Sequence, residues 1–278
     1  MTIPDLSWFV GDRPVVTAYA VLVLTGVLVT LFYMMHLAKR LGYDDIRVLY
    51  LELWCFAAAY VGGHVLGALV NFDRVLLFCR RIGTISSYRD LKARLEYVFS
   101  DNVFYGGLIL ALIFTWFYIR KTEPDRAPYY DMAAVGIPLF HGFGRLGCFF
   151  TGCCYGMPWA HGVAYARPLS HAEAGVALFP VQLIEAILNF ALFFLLRRLF
   201  LKGKARGRLL LLYLLIYPSY RFLLEFFRGD RVRGFVGFLS TSQFISLLLI
   251  AFGSCCWLLS LRKGPAGRTK GESYDASH

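Results

Sequence analysis

One glycine-rich stretch, residues 141–156, places an arginine and three cysteines inside an otherwise apolar part of the chain. An arginine in hydrocarbon costs at least about 2.5–3.5 kcal/mol at the centre of a membrane helix, so we expect Arg145 to face a polar cavity. Glycines such as Gly144 carry no side-chain bulk and let a backbone or a ligand approach closely. A buried cation in a glycine-lined groove indicates an anionic ligand.

The cysteines of this stretch allow a different chemistry. Cys148, Cys153 and Cys154 could coordinate a soft metal or form a strained disulfide, and His141, two helical turns before Cys148, could join them. The alternative, which we favour, is that small residues are needed there for packing, so we predict no metal and no cofactor. The seven cysteines form no paired CxxC motifs, which argues against a zinc ribbon or a disulfide framework.

The composition is that of a membrane protein. Hydrophobic residues make up 58% of the 278 positions, and the mean hydropathy is +0.57, well above a typical soluble domain. Spanning segments must satisfy their own backbone hydrogen bonds, which predicts an all-α integral membrane protein. The net charge of +11 is explained better by basic cytoplasmic loops and anionic membrane lipids than by nucleic acid, which we do not expect as a partner.

Seven apolar segments predict about seven transmembrane helices in a single domain, residues 1–261. They cover roughly residues 14–38, 50–70, 103–120, 132–150, 179–196, 209–227 and 235–261, and several reach the about 20 residues that cross a bilayer. We expect two external insertions, a mixed-charge and partly amphipathic arm at 71–102 and a loop at 151–179. The basic residues 262–278 are expected to form a disordered cytoplasmic tail.

Basic residues predict the orientation of the chain. Short loops rich in lysine and arginine follow the first, third, fifth and seventh segments, as at Lys39-Arg40 and Arg120-Lys121. Because such loops stay in the cytoplasm, the N-terminus is predicted outside and the C-terminus inside.

Two predicted spans carry polar residues at helical spacing. Arg221 and Glu225 are four residues apart on the sixth span and share a face, which Arg228 continues. Gln182 and Glu185 lie on one stripe of the fifth span. A structural ion pair for the first set and interhelical hydrogen bonds for the second remain open as alternatives.

All of these positions fall near the external ends of their spans, at the level of Arg145 and of Tyr105, which opens the third span. Convergence of separate helices at one depth is what a binding site requires. Arginine suits a phosphate ligand, because its planar fork donates two hydrogen bonds and it keeps its charge.

In order along nearly the whole chain, the motifs resemble those of the prolipoprotein diacylglyceryl transferases of bacterial inner membranes. The matching segments are Tyr105-Gly-Gly-Leu-Ile, Gly144-Arg145-x-Gly147, Pro180-x-Gln182-Leu-x-Glu185-Ala, Arg221-Phe-x-x-Glu225-Phe-x-Arg228 and Gly237-x-Leu-Ser-x-x-Gln243. The resemblance implies transfer of the diacylglyceryl group from phosphatidylglycerol to the lipobox cysteine of a prolipoprotein signal peptide, with release of glycerol phosphate. It also implies an active site toward the periplasmic side.

The resemblance implies roles for individual residues. It makes Arg145 the binder of the phosphatidylglycerol headgroup, with the other arginines near it. The implied catalytic residues are Arg145, Tyr105, Arg221 and Glu225, and the implied substrate-binding residues are Arg145, Gly144, Arg228, Gln182, Glu185, Cys148 and Cys153. The chemistry agrees, because fixed cations stabilise a phosphate leaving group as its charge develops. A thiol with a pKa of about 8.5 also needs a base or a positive field to become a nucleophile.

The chain departs from the family pattern at three positions. Tyr105 stands where the family usually has a histidine, and a phenol with a pKa of about 10 is a poor general base near neutral pH. Cys148 replaces an asparagine and Cys153 an acidic residue of the family pattern. Two alternatives to an active transferase are therefore a paralogue that binds phospholipid or lipoprotein without turnover, and a cysteine-based redox or metal-binding membrane protein.

Overall fold

The computed structural model describes residues 2–3, 8–10, 13–122, 125–169, 172–230 and 234–262, and this part of the chain is mostly helical. The predicted tail at 262–278 lies outside it apart from its first residue. The helices are α1 (Ala18–Arg40), α2 (Asp45–Val70), α3 (Phe72–Arg80), α4 (Tyr88–Val98), α5 (Phe104–Thr122), α6 (Ala127–Thr151), α7 (Val181–Leu201), α8 (Leu209–Leu224) and α9 (Thr241–Arg262).

Helices occupy all seven predicted spans, which confirms an all-α multi-pass membrane protein. Six segments are long and apolar enough to cross a bilayer, namely α1, α2, α5, α6, α9 and α8 together with the 3₁₀ turn that extends it to Phe227. The remaining predicted span, α7, is 21 residues long. It is more polar, because Glu185, Arg197 and Arg198 fall inside every 18-residue stretch of it.

The prediction was wrong about where the last span begins. Helix α9 starts at Thr241 rather than near residue 235, because two short strands precede it, β5 (Phe235–Val236) and β6 (Leu239–Ser240). Gly234 and Gly237 have φ angles of +70° and +62°, a backbone conformation that glycine adopts without steric cost. These glycines turn the chain into a hairpin before the helix can start.

The loop predicted at 151–179 contains a strand. β4 (Pro158–Tyr165) pairs in parallel with β1 (Thr2–Ile3) from the start of the chain, while β2 (Trp8–Val10) pairs antiparallel with β3 (Arg13–Val16). Ile3 and Tyr165 are buried in a small apolar cluster with Phe149 at the end of α6. The start of the chain therefore closes over the loop that follows α6.

The predicted arm at 71–102 consists of α3 and α4. Arg94 holds the two helices together, because it pairs with Asp90 at 2.7 Å within α4 and donates to the Arg81 carbonyl oxygen at 2.8 Å. The Arg94 guanidinium holds the pKa of the Asp90 carboxyl below its ordinary value. Apolar side chains such as Leu77 and Phe99 are exposed on this arm, as an amphipathic segment at a membrane surface requires.

Helix α6 is the centre of the bundle. In its most apolar stretch 61% of the residues are buried, against 11% in α9. Asp131, near the start of α6, accepts hydrogen bonds from the backbone of Gly207 (2.6 Å) and Leu209 (3.0 Å) and so fixes the start of α8 beside it. At 1.5 Å per residue, Arg145 and Arg221 then lie about 21 and about 18 Å along their helices from this point. The hydrogen bonds of Asp131 therefore place the two arginines at nearly the same level of the bundle.

Close backbone contact positions α5 against α2. A Cβ atom on Gly62 would collide with the Gly106 carbonyl oxygen, and one on Gly106 would collide with the Gly62 carbonyl oxygen. The two helices touch because neither position carries a side chain. This contact sets the height of the neighbouring Tyr105 in the bundle.

Candidate active site

A buried carboxylate joins two of the predicted site residues. Glu185 Oε2 on α7 lies 3.1 Å from Arg145 Nε on α6, and Glu185 Oε1 lies 3.7 Å from Arg221 Nε on α8. Arg221 Nη1 lies 2.6 Å from Glu225 Oε2. All four side chains are buried. Arg145, Glu185, Arg221 and Glu225 are called the arginine cluster.

Arg145 keeps part of its donor set unused. Its Nε donates to His141 Nε2 at 3.2 Å, while its Nη groups donate to no residue that the structure describes. The neighbouring Gly144 has open space where a side chain would lie. A guanidinium held by its Nε, with free Nη donors, is prepared for a ligand that accepts two hydrogen bonds.

The structure contradicts the suggestion that His141 joins the cysteines. His141 lies 3.8 Å from Glu185 Oε1 and stacks on Phe104 with 3.7 Å between ring centroids. Because His141 Nε2 accepts from Arg145, that nitrogen carries no proton in this arrangement. His141 is a member of the arginine cluster, and its spacing of four residues from Arg145 on one helix is the signal that could have revealed it.

Arg228 interacts electrostatically with Glu225 of the arginine cluster. It forms a two-point ion pair with Asp230, with distances of 2.7 and 2.5 Å. The backbone of Arg228 also forms a β-bridge with Gly156, so it binds the chain that follows α8 to the loop that follows α6. Sequence reasoning missed Asp230, which lies two residues beyond a recognised motif residue.

Gln182 faces the loop after α6 rather than the arginines. Its Nε2 donates to the Cys153 carbonyl oxygen at 2.7 Å and to the Tyr165 hydroxyl at 3.4 Å. Its Oε1 is buried without a hydrogen-bond partner among the described residues. Gln182 therefore holds the cysteine-containing turn against α7, one turn before Glu185.

A chain of hydrogen bonds links Tyr105 to the arginine cluster. Its side chain is 2% exposed, and its hydroxyl lies 2.5 Å from Ser246 Oγ on α9. Ser246 in turn donates to the Ser242 carbonyl oxygen, and Arg221 Nη2 donates to Ser242 Oγ at 3.3 Å. Sequence reasoning missed both serines, although a spacing of four residues places them on one face of α9.

Three tyrosines lie at helical spacing along α8. Tyr213, Tyr217 and Tyr220 have buried hydroxyl groups that meet no hydrogen-bond partner in the described chain. The Tyr217 ring meets the edge of the His141 ring, with 5.1 Å between centroids. Sequence reasoning missed this stripe, although its spacing of four and three residues is helical.

The three cysteines at the end of α6 lie together and are here called the cysteine cluster. The Sγ atoms of Cys148, Cys153 and Cys154 lie within 4.8 Å of one another, and none forms a disulfide. Gly152 ends the helix with φ of +73°, and Cys154 has φ of +56°, so the chain turns back over the helix end. Interaction with the Cys148 and Cys153 thiols holds the pKa of Cys154 well below its ordinary value, and the guanidiniums of Arg228 and Arg145 act in the same direction.

The site lies where helices of opposite direction meet. Arg145 and Arg221 are near the C-terminal ends of α6 and α8, while Tyr105, Glu185 and Ser242 are near the N-terminal ends of α5, α7 and α9. Helix N-termini carry partial positive charge and free N–H groups, which favour anions. Buried guanidiniums and helix N-termini therefore lie at the same end of the bundle.

Comparison with known proteins assigns the sequence to a family. A family model described as prolipoprotein diacylglyceryl transferase matches residues 10–259. Among curated relatives, a phosphatidylglycerol–prolipoprotein diacylglyceryl transferase of Clostridium tetani (strain Massachusetts / E88) is 31% identical over 237 residues, or 84% of this chain and 89% of the relative. A second such protein, transferase 2 of Clostridium perfringens (strain 13 / Type A), is 29% identical over 248 residues, or 89% and 92%. This chain belongs to the prolipoprotein diacylglyceryl transferase family.

Proposed function

We propose that this chain transfers the diacylglyceryl group of phosphatidylglycerol to the lipobox cysteine thiol of prolipoproteins and releases glycerol phosphate. The observation that carries the proposal is the buried Arg145 guanidinium, whose Nη donors meet no acceptor in the described chain. Membership of the family and the printed names of the relatives support the same reaction.

The arginine cluster suits the leaving group. Arg145 and Arg221 carry two positive charges, and Glu185 and Glu225 carry two negative ones, so the cluster binds a phosphate through directed donors rather than through excess charge. Charge-assisted hydrogen bonds of this kind are about twice as strong as neutral ones. As the bond between the glycerol carbon and the phosphate oxygen breaks, charge grows on that oxygen. Donors already held in place stabilise it without reorganisation.

The remaining predicted residues have supporting roles in this proposal. Glu185 and Glu225 orient the guanidiniums, while Tyr105 positions Arg221 through Ser242 and Ser246. The Tyr217 and Tyr220 hydroxyls, which lack partners in the described chain, are suited to donate to the lipid headgroup. Gln182 and Arg228 hold the turn that carries the cysteine cluster, so they shape the site without contacting the phosphate.

We further propose that the protein lies in the bacterial inner membrane with its site toward the periplasm. Helices α1 and α5 end in Lys39-Arg40 and Arg120-Lys121, at the opposite end of the bundle from the arginine cluster. Basic residues mark the cytoplasmic side, which puts the N-terminus outside and the C-terminus inside. A periplasmic site is where the cysteine of an exported signal peptide arrives.

A reconstituted transfer assay tests the proposal. The purified protein is placed in phosphatidylglycerol vesicles with a lipobox peptide, and mass spectrometry measures addition of one diacylglyceryl group to the peptide. Transfer is expected with the cysteine peptide and absent with a peptide that has serine in its place. Binding of the peptide without any mass increase would instead identify a paralogue without turnover.

A further inference from the structure

The cysteine cluster has the composition of a metal site. Its three sulfur atoms lie within 4.8 Å of one another, and no fourth histidine, cysteine or carboxylate of the described residues joins the group. Thiolates select soft or borderline ions such as Zn²⁺. Three protein ligands with an open fourth position are the arrangement of catalytic rather than structural zinc sites.

The arginine cluster leaves one requirement of the reaction unmet. The substrate thiol must lose its proton, yet Tyr105, at the family's histidine position, is buried and bonded to Ser246. His141 already accepts from Arg145, and Glu185 is shared between Arg145 and Arg221. None of these groups is placed to take a proton from an incoming thiol without breaking an ion pair or hydrogen bond of the cluster.

We propose that Cys148, Cys153 and Cys154 bind a Zn²⁺ ion whose fourth position takes the thiol of the lipobox cysteine. This inference rests on the proposed function and assigns the activation of its nucleophile. A thiol that coordinates a zinc ion is deprotonated outright, so the ion performs the task that Tyr105, His141 and Glu185 are not placed to perform. Two of the three residues that depart from the family pattern, Cys148 and Cys153, then belong to one metal site.

The cluster is placed beside the phosphate donors. Cys148 follows Arg145 by three residues on α6, which is about one helical turn. Gln182 holds the Cys153 backbone to α7 one turn before Glu185. Arg145 and Arg228 are close enough to interact electrostatically with the Cys154 thiol. A sulfur bound to the cluster therefore lies near the carbon of a phospholipid whose phosphate is bound by Arg145.

The proposed step balances without an oxidant. The substrate thiol displaces a water from zinc and gives its proton to solvent. A lone pair of the zinc-bound sulfur forms a bond to the glycerol carbon, and the bond between that carbon and the phosphate oxygen breaks with its electron pair on the oxygen. The products are a thioether and glycerol phosphate. Because a thioether is a neutral and weak ligand, it leaves zinc and water returns.

Metal analysis of the full-length protein, purified in detergent without chelators, is the first test. We expect about one zinc per chain, retained in Cys255→Ser, since Cys255 is exposed on α9 away from the cluster. Cys148→Ser and Cys153→Ser are expected to lose zinc affinity by more than the about 10–100-fold typical of outer-shell changes. Elution volume and helical circular dichroism establish that each variant is folded.

Cobalt substitution tests the fourth position. Co²⁺ in the zinc site is expected to give a thiolate-to-cobalt charge-transfer band that changes when the lipobox peptide is added and not when its serine analogue is added. Protein without bound metal, copper in place of zinc, or a cobalt spectrum unaffected by the cysteine peptide would each overturn the proposal.

Two results separate this inference from the proposed function. If metal-free protein transfers at the full rate and Cys148→Ser is equally active, the zinc proposal is wrong and the proposed transferase activity is supported. A protein that contains zinc and shows the peptide-dependent change in its cobalt spectrum, but never lipidates the peptide, would support the metal site and contradict the proposed transferase activity.

Discussion

The arginine cluster and the cysteine cluster lie next to each other on α6 and are built in opposite ways. The arginine cluster takes side chains from α6, α7 and α8, and each guanidinium is paired with a carboxylate. The cysteine cluster is formed by residues 148–154 alone, where one left-handed turn folds the chain back on a helix end. The first depends on contacts among three helices, whereas the second is a turn within one segment that Gln182 of α7 holds in place. Removing a charge from the first region should therefore cost more stability than replacing a thiol in the second.

The largest effect is expected when the shared carboxylate is removed. Glu185→Ala leaves two buried guanidiniums without their common partner, and breaking a buried ion pair in this way costs about 3–5 kcal/mol. Thermal unfolding in detergent measures the loss. The matched control is Glu96→Ala, which removes an exposed ion pair with Lys92 worth about 0–1 kcal/mol. Equal stability of the two variants would mean that Glu185 does not hold the arginine cluster together.

Arg145→Ala is expected to abolish most of the transfer activity. Removing one preorganised donor group typically lowers the rate by about 10²–10³-fold, and kcat should fall more than the binding of phosphatidylglycerol. Arg145→Lys keeps the charge and loses the two-point fork, so it should retain intermediate activity. Initial rates of peptide lipidation measure both. Full activity in Arg145→Ala would show that Arg145 takes no part in the reaction.

Cys148→Ser is expected to slow transfer by about 10²-fold, the lower range for loss of proton-transfer catalysis, without changing the KM for phosphatidylglycerol. The substrate thiol must then ionise unaided, so residual activity should rise with pH up to about 8.5, the pKa of a free thiol. Wild-type protein, with the thiol bound to zinc, should be less sensitive over this range. A variant with the wild-type pH profile would contradict the zinc assignment.

The smallest effect is expected from Tyr105→Phe, which removes one buried hydrogen bond to Ser246. Such bonds contribute about 0.5–1.5 kcal/mol, so transfer should fall by about two- to tenfold. Ser246→Ala should give the same change, because both residues act on Arg221 through α9. A total loss of activity in Tyr105→Phe alone would show that the hydroxyl takes part in the chemistry.

The sequence by itself determined the class of protein and the family. Apolar segments of the length of a bilayer leave a helix as the only structure that satisfies the backbone, so the helices could be placed to within several residues. The boundary error at α9 arose because two glycines form a hairpin whose apolar side chains look like the start of a span. Four residues could be chosen because a charged side chain in an apolar helix is energetically costly and marks a functional or paired position. They are Arg145, Glu185, Arg221 and Glu225.

Only the tertiary structure decided which of these charges meet. Helical spacing gives the face and depth of a residue but not its partner on another helix. The pairing of Glu185 with both arginines, the serines between Tyr105 and Arg221, and the ion pair of Arg228 with Asp230 therefore could not be derived from the sequence. The cysteine cluster is similar, because cysteines five and six residues apart approach one another only when the chain reverses at Gly152. That reversal depends on how the loop packs against α7 and the start of the chain.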